Sequence, residues 1–263
     1  MAANEHKAFY ISQLFNDVIQ PDISSAVIKN GSGIVGLEIF GSTESSGLNY
    51  LSGILLRDAV ATHIYYPHIA DDAKWGTGIV AYNPADTSSN LVITPYQNDG
   101  TALSVQTITL KGKEKYIGTV QDLNLPEGTA WFSILASSPI TGFELFVTKD
   151  GNLSGGYTGV NINAAQGVFP KIEKDGWTGI AFVNIEDTPA NVTITAYADN
   201  GNEITTEILN LNGHQKIVKM ASDLFTQDIS TAAYIAYSST GNVVGFQLNA
   251  SSDGMMLDAL PGM

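Results

Sequence analysis

Along most of the chain apolar residues recur at every second position in short runs, and Gly, Asn, Asp and Pro close those runs. A period of two puts successive side chains on opposite faces of an extended backbone, so the pattern predicts strands. TGIAFVN, ANVTITAY, ITTEILNL, KIVKM, AAYIAYS, NVVGFQLN and MMLDAL carry it over residues 178–260. Asp99-Gly100 and Asn200-Gly201 fall between alternating runs and predict tight hairpin turns. Helical signals are confined to SQLF, VQDL and SDLF, each read as a single helical turn between strands.

The pattern repeats. WGTGIVAYNPADTSSNLVITPYQNDG, from Trp75, aligns with WTGIAFVNIEDTPANVTITAYADNG, from Trp177, and the alignment runs on to Leu123 and Leu224. Past one inserted residue beside the Trp, Gly78 pairs with Gly179, Asn83 with Asn184, Asp86 with Asp187 and Tyr96 with Tyr197. The back half occurs three times, in SSAVIKNGSGIVGLEIF, TAWFSILASSPITGFELF and TAAYIAYSSTGNVVGFQL, with Gly36, Gly142 and Gly245 equivalent. A repeat of about 100 residues built from about seven short antiparallel strands predicts an all-β chain of tandem two-sheet sandwiches of the immunoglobulin type. The repeats are placed at 63–163 and 164–263, preceded by a partial, back-half repeat at 1–62. Half a repeat leaves a sheet face and an edge uncovered, which makes self-association through it a candidate.

Gly31, Gly33 and Gly36 form G-x-G-x-x-G, the spacing of a dinucleotide-binding turn. The equivalent stretches read SSPITG and STGNVVG and keep only the last glycine. A phosphate cradle does not survive that exchange, whereas a hairpin loop does, so a hairpin is expected at all three places.

Charge narrows the partners. Twenty-six acidic residues against twelve basic ones give a net charge of −14, which opposes nucleic acid and anionic membranes. No cysteine is present, so disulfides, thiolate catalysis and zinc–thiolate sites are absent. MAANEHKAFYISQLF lacks the basic and apolar regions of a signal peptide, and no stretch of about 18 apolar residues predicts a membrane span. Charged residues are only 14% of the chain, so its polar surface comes from Ser, Thr, Asn and Gln, as in many extracellular β-proteins.

Candidate sites are few. Trp75 and Trp177 open equivalent strands, where they either stack on a sugar ring or anchor the core. Asp71 and Asp72 precede the first Trp and Glu173 and Asp175 the second, which makes calcium the candidate ion. Trp131 alternates with Ala130 and Phe132 and is read as packing. His63 and His68 are five apart, and Lys171 stands where His68 would recur, so they make no metal site. Neither G-x-S-x-G nor H-E-x-x-H occurs.

TGIAFVNIEDTPANVTITAYADNGN, followed by SDLF and VVGFQL, resembles the tandem immunoglobulin- or fibronectin-like repeats of bacterial secreted and surface proteins. The resemblance implies a non-enzymatic spacer, adhesive or binding role outside the cell, against a protein or glycan, and carries no catalytic residue across. A carbohydrate-binding module that uses the Trp loops is the alternative.

Overall fold

The computed structural model describes residues 5–19, 23, 25–29, 33–42, 51–56, 60–152, 154–158, 164–253 and 256–262. Residues 1–34 and 35–263 are two compact units. In the first, the predicted turn at SQLF is a 3-10 turn over Ile11–Phe15 that ends on Asn16 in the left-handed region, at φ 55°. Gln13 closes its start: its side-chain oxygen accepts the Tyr10 N–H at 2.8 Å.

The second unit is all-β and antiparallel. Strands β1 (Leu37–Gly41) and β2 (Leu51–Leu55) pair with each other. Seven strands follow as one assembly: β3 (Ala61–Tyr66), β4 (Trp75–Tyr82), β5 (Ser89–Tyr96), β6 (Gln106–Leu110), β7 (Lys115–Thr119), β8 (Trp131–Thr148) and β9 (Ser154–Thr158). A second assembly repeats the order with β10 (Ala164–Phe169), β11 (Gly176–Asn184), β12 (Ala190–Tyr197), β13 (Glu203–Leu211), β14 (Lys216–Met220), β15 (Tyr234–Ser251) and β16 (Leu257–Pro261).

Each assembly is organised by one 18-residue strand, β8 or β15. The first half of β8 pairs with β3 and β5, and its second half with β4 and β9. β15 divides in the same way between β10 and β12, then β11 and β16. Residues from both halves meet in one core, Ile64, Tyr66, Ile79, Leu91, Phe132 and Ile134 in the first assembly. Phe169, Phe182, Val192, Ile194 and Ile235 do so in the second.

The long strands correct the hairpin expected at SSPITG and STGNVVG, because both stretches run straight through as β-structure. In β8 the pairing to β5 ends at Ala136 and that to β4 begins at Thr141, so Pro139 lies where the ladder changes partner and needs no N–H. The shared glycine serves a close approach: a Cβ on Gly142 would stand 2.2 Å from the Tyr66 hydroxyl and 2.3 Å from the Val80 carbonyl. Tyr66 donates to that carbonyl at 2.8 Å. In the first copy residues 30–32 lie outside the described residues, and Gly36 leads into β1 with no helix to complete a nucleotide fingerprint.

The turns agree with the sequence. Gly100 and Gly201 take φ of 92° and 81° in their hairpins, and the SDLF turn is a 3-10 turn at Ala221–Leu224. Asn83 and Asn184, both fully buried, organise the loops after β4 and β11. The Asn83 amide donates to the carbonyls of Thr87, Leu110 and Lys111, and its oxygen accepts from the Ala85 N–H. Asn184 repeats this with Thr188, Leu211, Asn212 and Glu186.

Candidate functional site

The joint between the two assemblies holds most of the unusual chemistry. A third apolar cluster fills it, with Tyr65, Ala130, Trp131 and Phe146 from one side and Ala181, Val183, Val244, Phe246, Leu248 and Ala250 from the other. The pairings Ala181↔Phe246 and Val183↔Val244 show why: alternation sends Ile180 and Phe182 into the second assembly's own core and leaves the opposite face for the neighbour. Trp131, 1% exposed, stacks on Tyr96 at 4.3 Å and donates from Nε1 to the His214 carbonyl at 3.0 Å. His214 also stacks on Tyr96, at 4.7 Å, and lies 6.3 Å from Trp131. The turn that presents it needs glycine, since a Cβ on Gly213 would meet the Asp187 carbonyl at 2.3 Å.

Beside this stack Lys216 enters from β14. Its backbone N–H donates to the Asn98 carbonyl at 2.9 Å, and its ammonium reaches the Ala130 carbonyl at 2.8 Å and His68 Nδ1 at 2.7 Å. Burial brings the Lys216 amine down to about 7, against a smaller upward pull from Glu144. Glu144 is fully buried, and neither of its carboxylate oxygens accepts a hydrogen bond. Its desolvation raises it well above the carboxylate range, although the Lys216 charge pulls the other way. Burial and the Lys216 charge hold His68 well below its ordinary value. A groove of about 530 Å³ opens beside them, lined by His68, Asp71, Asn98, Glu127, Thr129 and Lys216.

At the equivalent place in the second assembly the polar groups bond to one another in part, with Gln247 Oε1 and Asn249 Nδ2 buried without a partner. Gln247 stands for Glu144 and donates to the Lys171 carbonyl, while Asn249 stands for Phe146 and accepts from Thr178 at 2.7 Å. Lys171, in the place of His68, is paired with Glu173 at 2.9 Å and Asp258 at 3.7 Å. Those carboxylates raise its amine above the ordinary value.

The structure brings Trp75 and Trp177 together. Their rings meet edge to face, with centroids 6.4 Å apart and planes at 87°. Both are half-buried against the joint, and Lys74 lies 5.3 Å over the Trp75 ring. Asp72 accepts the Lys74 and Trp75 N–H groups at 2.7 and 2.8 Å, which lowers its carboxyl below the usual range. Asp71 is paired with Lys149 at 3.5 Å and accepts from the Gln121 amide. The Lys171 hydrogen bond lowers Glu173, which also accepts the Asp175 N–H. Asp175 accepts the Ser252 N–H with its backbone carbonyl. Among the described residues no three His, Asp or Glu side chains converge as a metal ion requires. The sequence reading passed over Glu144 and Lys216. Their signal is difference rather than identity between the repeats, Glu144 against Gln247 and His68 against Lys171.

No protein-family model and no curated protein matches the chain. Among solved structures it is similar to Thermotoga maritima 1070, at 15% identity and a TM-score of 0.33, over 38% of this chain and 93% of that one. It is also similar to a putative beta-galactosidase from Bacteroides fragilis, at 8% identity and a TM-score of 0.18, over 76% of this chain and 32% of that one. A beta-glucuronidase of glycoside hydrolase family 2 gives 7% identity and a TM-score of 0.17, over 76% of this chain and 23% of that one. Likenesses at this level carry no argument about activity.

Proposed function

We infer that the chain is a non-enzymatic module of tandem β-repeats outside the cell, at 63–163 and 164–263 with a partial repeat at 1–62, that spaces or presents a binding surface. The observation that carries this reading is the joint: residues most able to do chemistry, Lys216, His68 and Trp131, are spent on locking one assembly to the next. A joint filled with Phe146, Phe246 and Trp131 holds the two assemblies at a fixed angle, as a spacer requires. The abundance of Ser, Thr and Asn and the lack of cysteine support an extracellular setting.

The sugar-binding alternative needs Trp rings that offer an open face. Edge-to-face packing of Trp75 on Trp177 covers one face of one of the two rings, which supports the spacer. Tryptophan fluorescence with acrylamide quenching, with and without soluble glycans and calcium, tests both. Emission indifferent to every glycan supports the spacer. Quenching relieved by one glycan, and lost in Trp75→Ala, overturns it.

A further inference from the structure

Lys216 enters the joint from β14 and His68 from the loop after β3, and a 2.7 Å hydrogen bond joins Lys216 Nζ to His68 Nδ1. An ammonium only donates, so Nδ1 accepts with its lone pair and the ring proton sits on Nε2. The imidazole packs on Phe146 of its own assembly at 5.5 Å and on Phe246 of the neighbour at 5.6 Å, rings that offer a charged group no hydrogen-bond acceptor. Lys216 is 4% exposed. His68 is only partly buried and lines the groove, which gives solvent protons a way to the ring.

This contact has room for one positive charge and not for two. Once Nδ1 is protonated the ring has no lone pair to accept with, and two cations stand 2.7 Å apart. Glu144 of β8, which faces both Lys216 and Tyr66, balances one charge at most. Of the groove carboxylates, Asp71 is paired with Lys149, and Glu127 lines the wall. Across the joint Glu186 faces Tyr65, while Asp187 faces Tyr96 and is hydrogen-bonded to His214 at 2.7 Å. Protonation of His214 therefore puts a cation beside a carboxylate, and His63 bonds the Tyr65 hydroxyl at 3.2 Å. Only His68, among these histidines, is hydrogen-bonded to an amine. Lys216 and His68 lie on opposite sides of the joint, and each assembly has a core that contains neither. Repulsion between them is relieved by parting the assemblies, with both cores intact.

We propose that His68 and Lys216 form an acid-released latch: protonation of His68 expels Lys216 from the joint and lets the two assemblies move apart as folded bodies. Burial already holds both groups below their ordinary values, which puts the release on the acid side of 6.5. The equivalent position in the second assembly is not built this way, because Lys171 replaces His68 and pairs with the carboxylates of Glu173 and Asp258 rather than with a second base. The latch goes beyond the spacer reading: the angle between the assemblies is fixed above the release pH and free below it.

Energy transfer between dyes on the two assemblies of the full chain tests this. The chain has no cysteine, so Thr107→Cys in β6 and Asn210→Cys in β13, both exposed, take the labels. Between about pH 8 and pH 4, transfer is expected to fall below the ordinary histidine value while far-ultraviolet circular dichroism keeps its β signal. In the same labelled chain His68→Asn keeps an acceptor near the place of Nδ1 but takes no proton, so release moves down by about one pH unit or more. Lys216→Met removes the second cation and moves it the same way, whereas His63→Asn leaves it in place. Labelled protein whose transfer is constant until the β signal is lost overturns the proposal. So does release at the unchanged pH in both His68→Asn and Lys216→Met, or an equal shift in His63→Asn. A His68→Asn chain already apart at pH 8 has lost the contact itself, and Lys216→Met then decides.

Discussion

The two assemblies share a strand order but treat equivalent positions in opposite ways. The first holds His68, Glu144 and Phe146 and accepts Lys216 and Phe246 from its neighbour. The second holds Lys171, Gln247 and Asn249, which bond only within it, and leaves Gln247 Oε1 and Asn249 Nδ2 without a partner. The buried Glu144 feels the charge of Lys216 across the joint, whereas a buried amide such as Gln247 carries no charge to offset. One strand order thus carries different side chains at three equivalent positions, and at the joint seen here His68, Glu144 and Phe146 lie beside Lys216 and Phe246 of the neighbouring assembly.

The comparison breaks most readily at the aromatic stack. Trp131 and Tyr234 are equivalent, each stacked on a tyrosine, Tyr96 or Tyr197. Only Trp131 is sealed under the next assembly. Trp131→Ala is expected to cost about 3–5 kcal/mol and Tyr234→Ala about 1–2 kcal/mol in urea unfolding. Equal losses would remove the distinction between joint and end.

Lys216 gives the joint a pH signature. Its folded value near 7 lies below the ordinary 10.5, so the unfolded chain holds more protons between those limits, and its contribution to stability rises with pH across that window. It is complete above about 10.5 and lost as pH falls through 7. Glu144, raised by burial, runs the other way and loses stability as pH climbs above the ordinary carboxylate range. His68, held low, adds a loss on the acid side of its ordinary 6.5. Asp71 and Glu127 line the same groove. Lys216→Met should remove a rise of a few kcal/mol between pH 7 and 10.5, read as the difference between variant and wild-type unfolding curves. A difference that does not change with pH would contradict this.

Where the repeats agree, the costs should agree. Asn83 and Asn184 each make four hydrogen bonds to the same backbone positions. Asn83→Ala and Asn184→Ala are expected to cost about 2–3 kcal/mol each, and a large difference would mean that the joint reaches these loops. The smallest change is Glu144→Gln, which copies Gln247 into the joint. It removes the upward pull on Lys216 and shifts its titration further below 7; an upward shift in NMR would place the lysine elsewhere.

Strands and turns were legible in the sequence because their causes are local. Alternation in ANVTITAY sets the faces of β12, and Asn200-Gly201 supplies the positive φ its hairpin needs. β8 and β15 were not legible as single strands, because the glycine and turn-forming residues at their centres usually end a strand. There Gly142 makes room for the Tyr66 hydroxyl, a contact set 76 residues away in the chain. Lys216 opens an alternating run, KIVKM, where a lysine reads as facing water. Its burial depends on the neighbouring assembly, which no local pattern reports. The Trp loops were marked in the sequence, and their pairing with each other was not.

The most direct test of the account is to follow the Lys216 and Lys171 amines by NMR in one titration of the full chain. Lys216 is expected near 7 and Lys171 above the ordinary 10.5, on opposite sides of a free lysine because one amine is buried and the other is paired with Glu173 and Asp258. Both amines titrating together near 10.5 would contradict it.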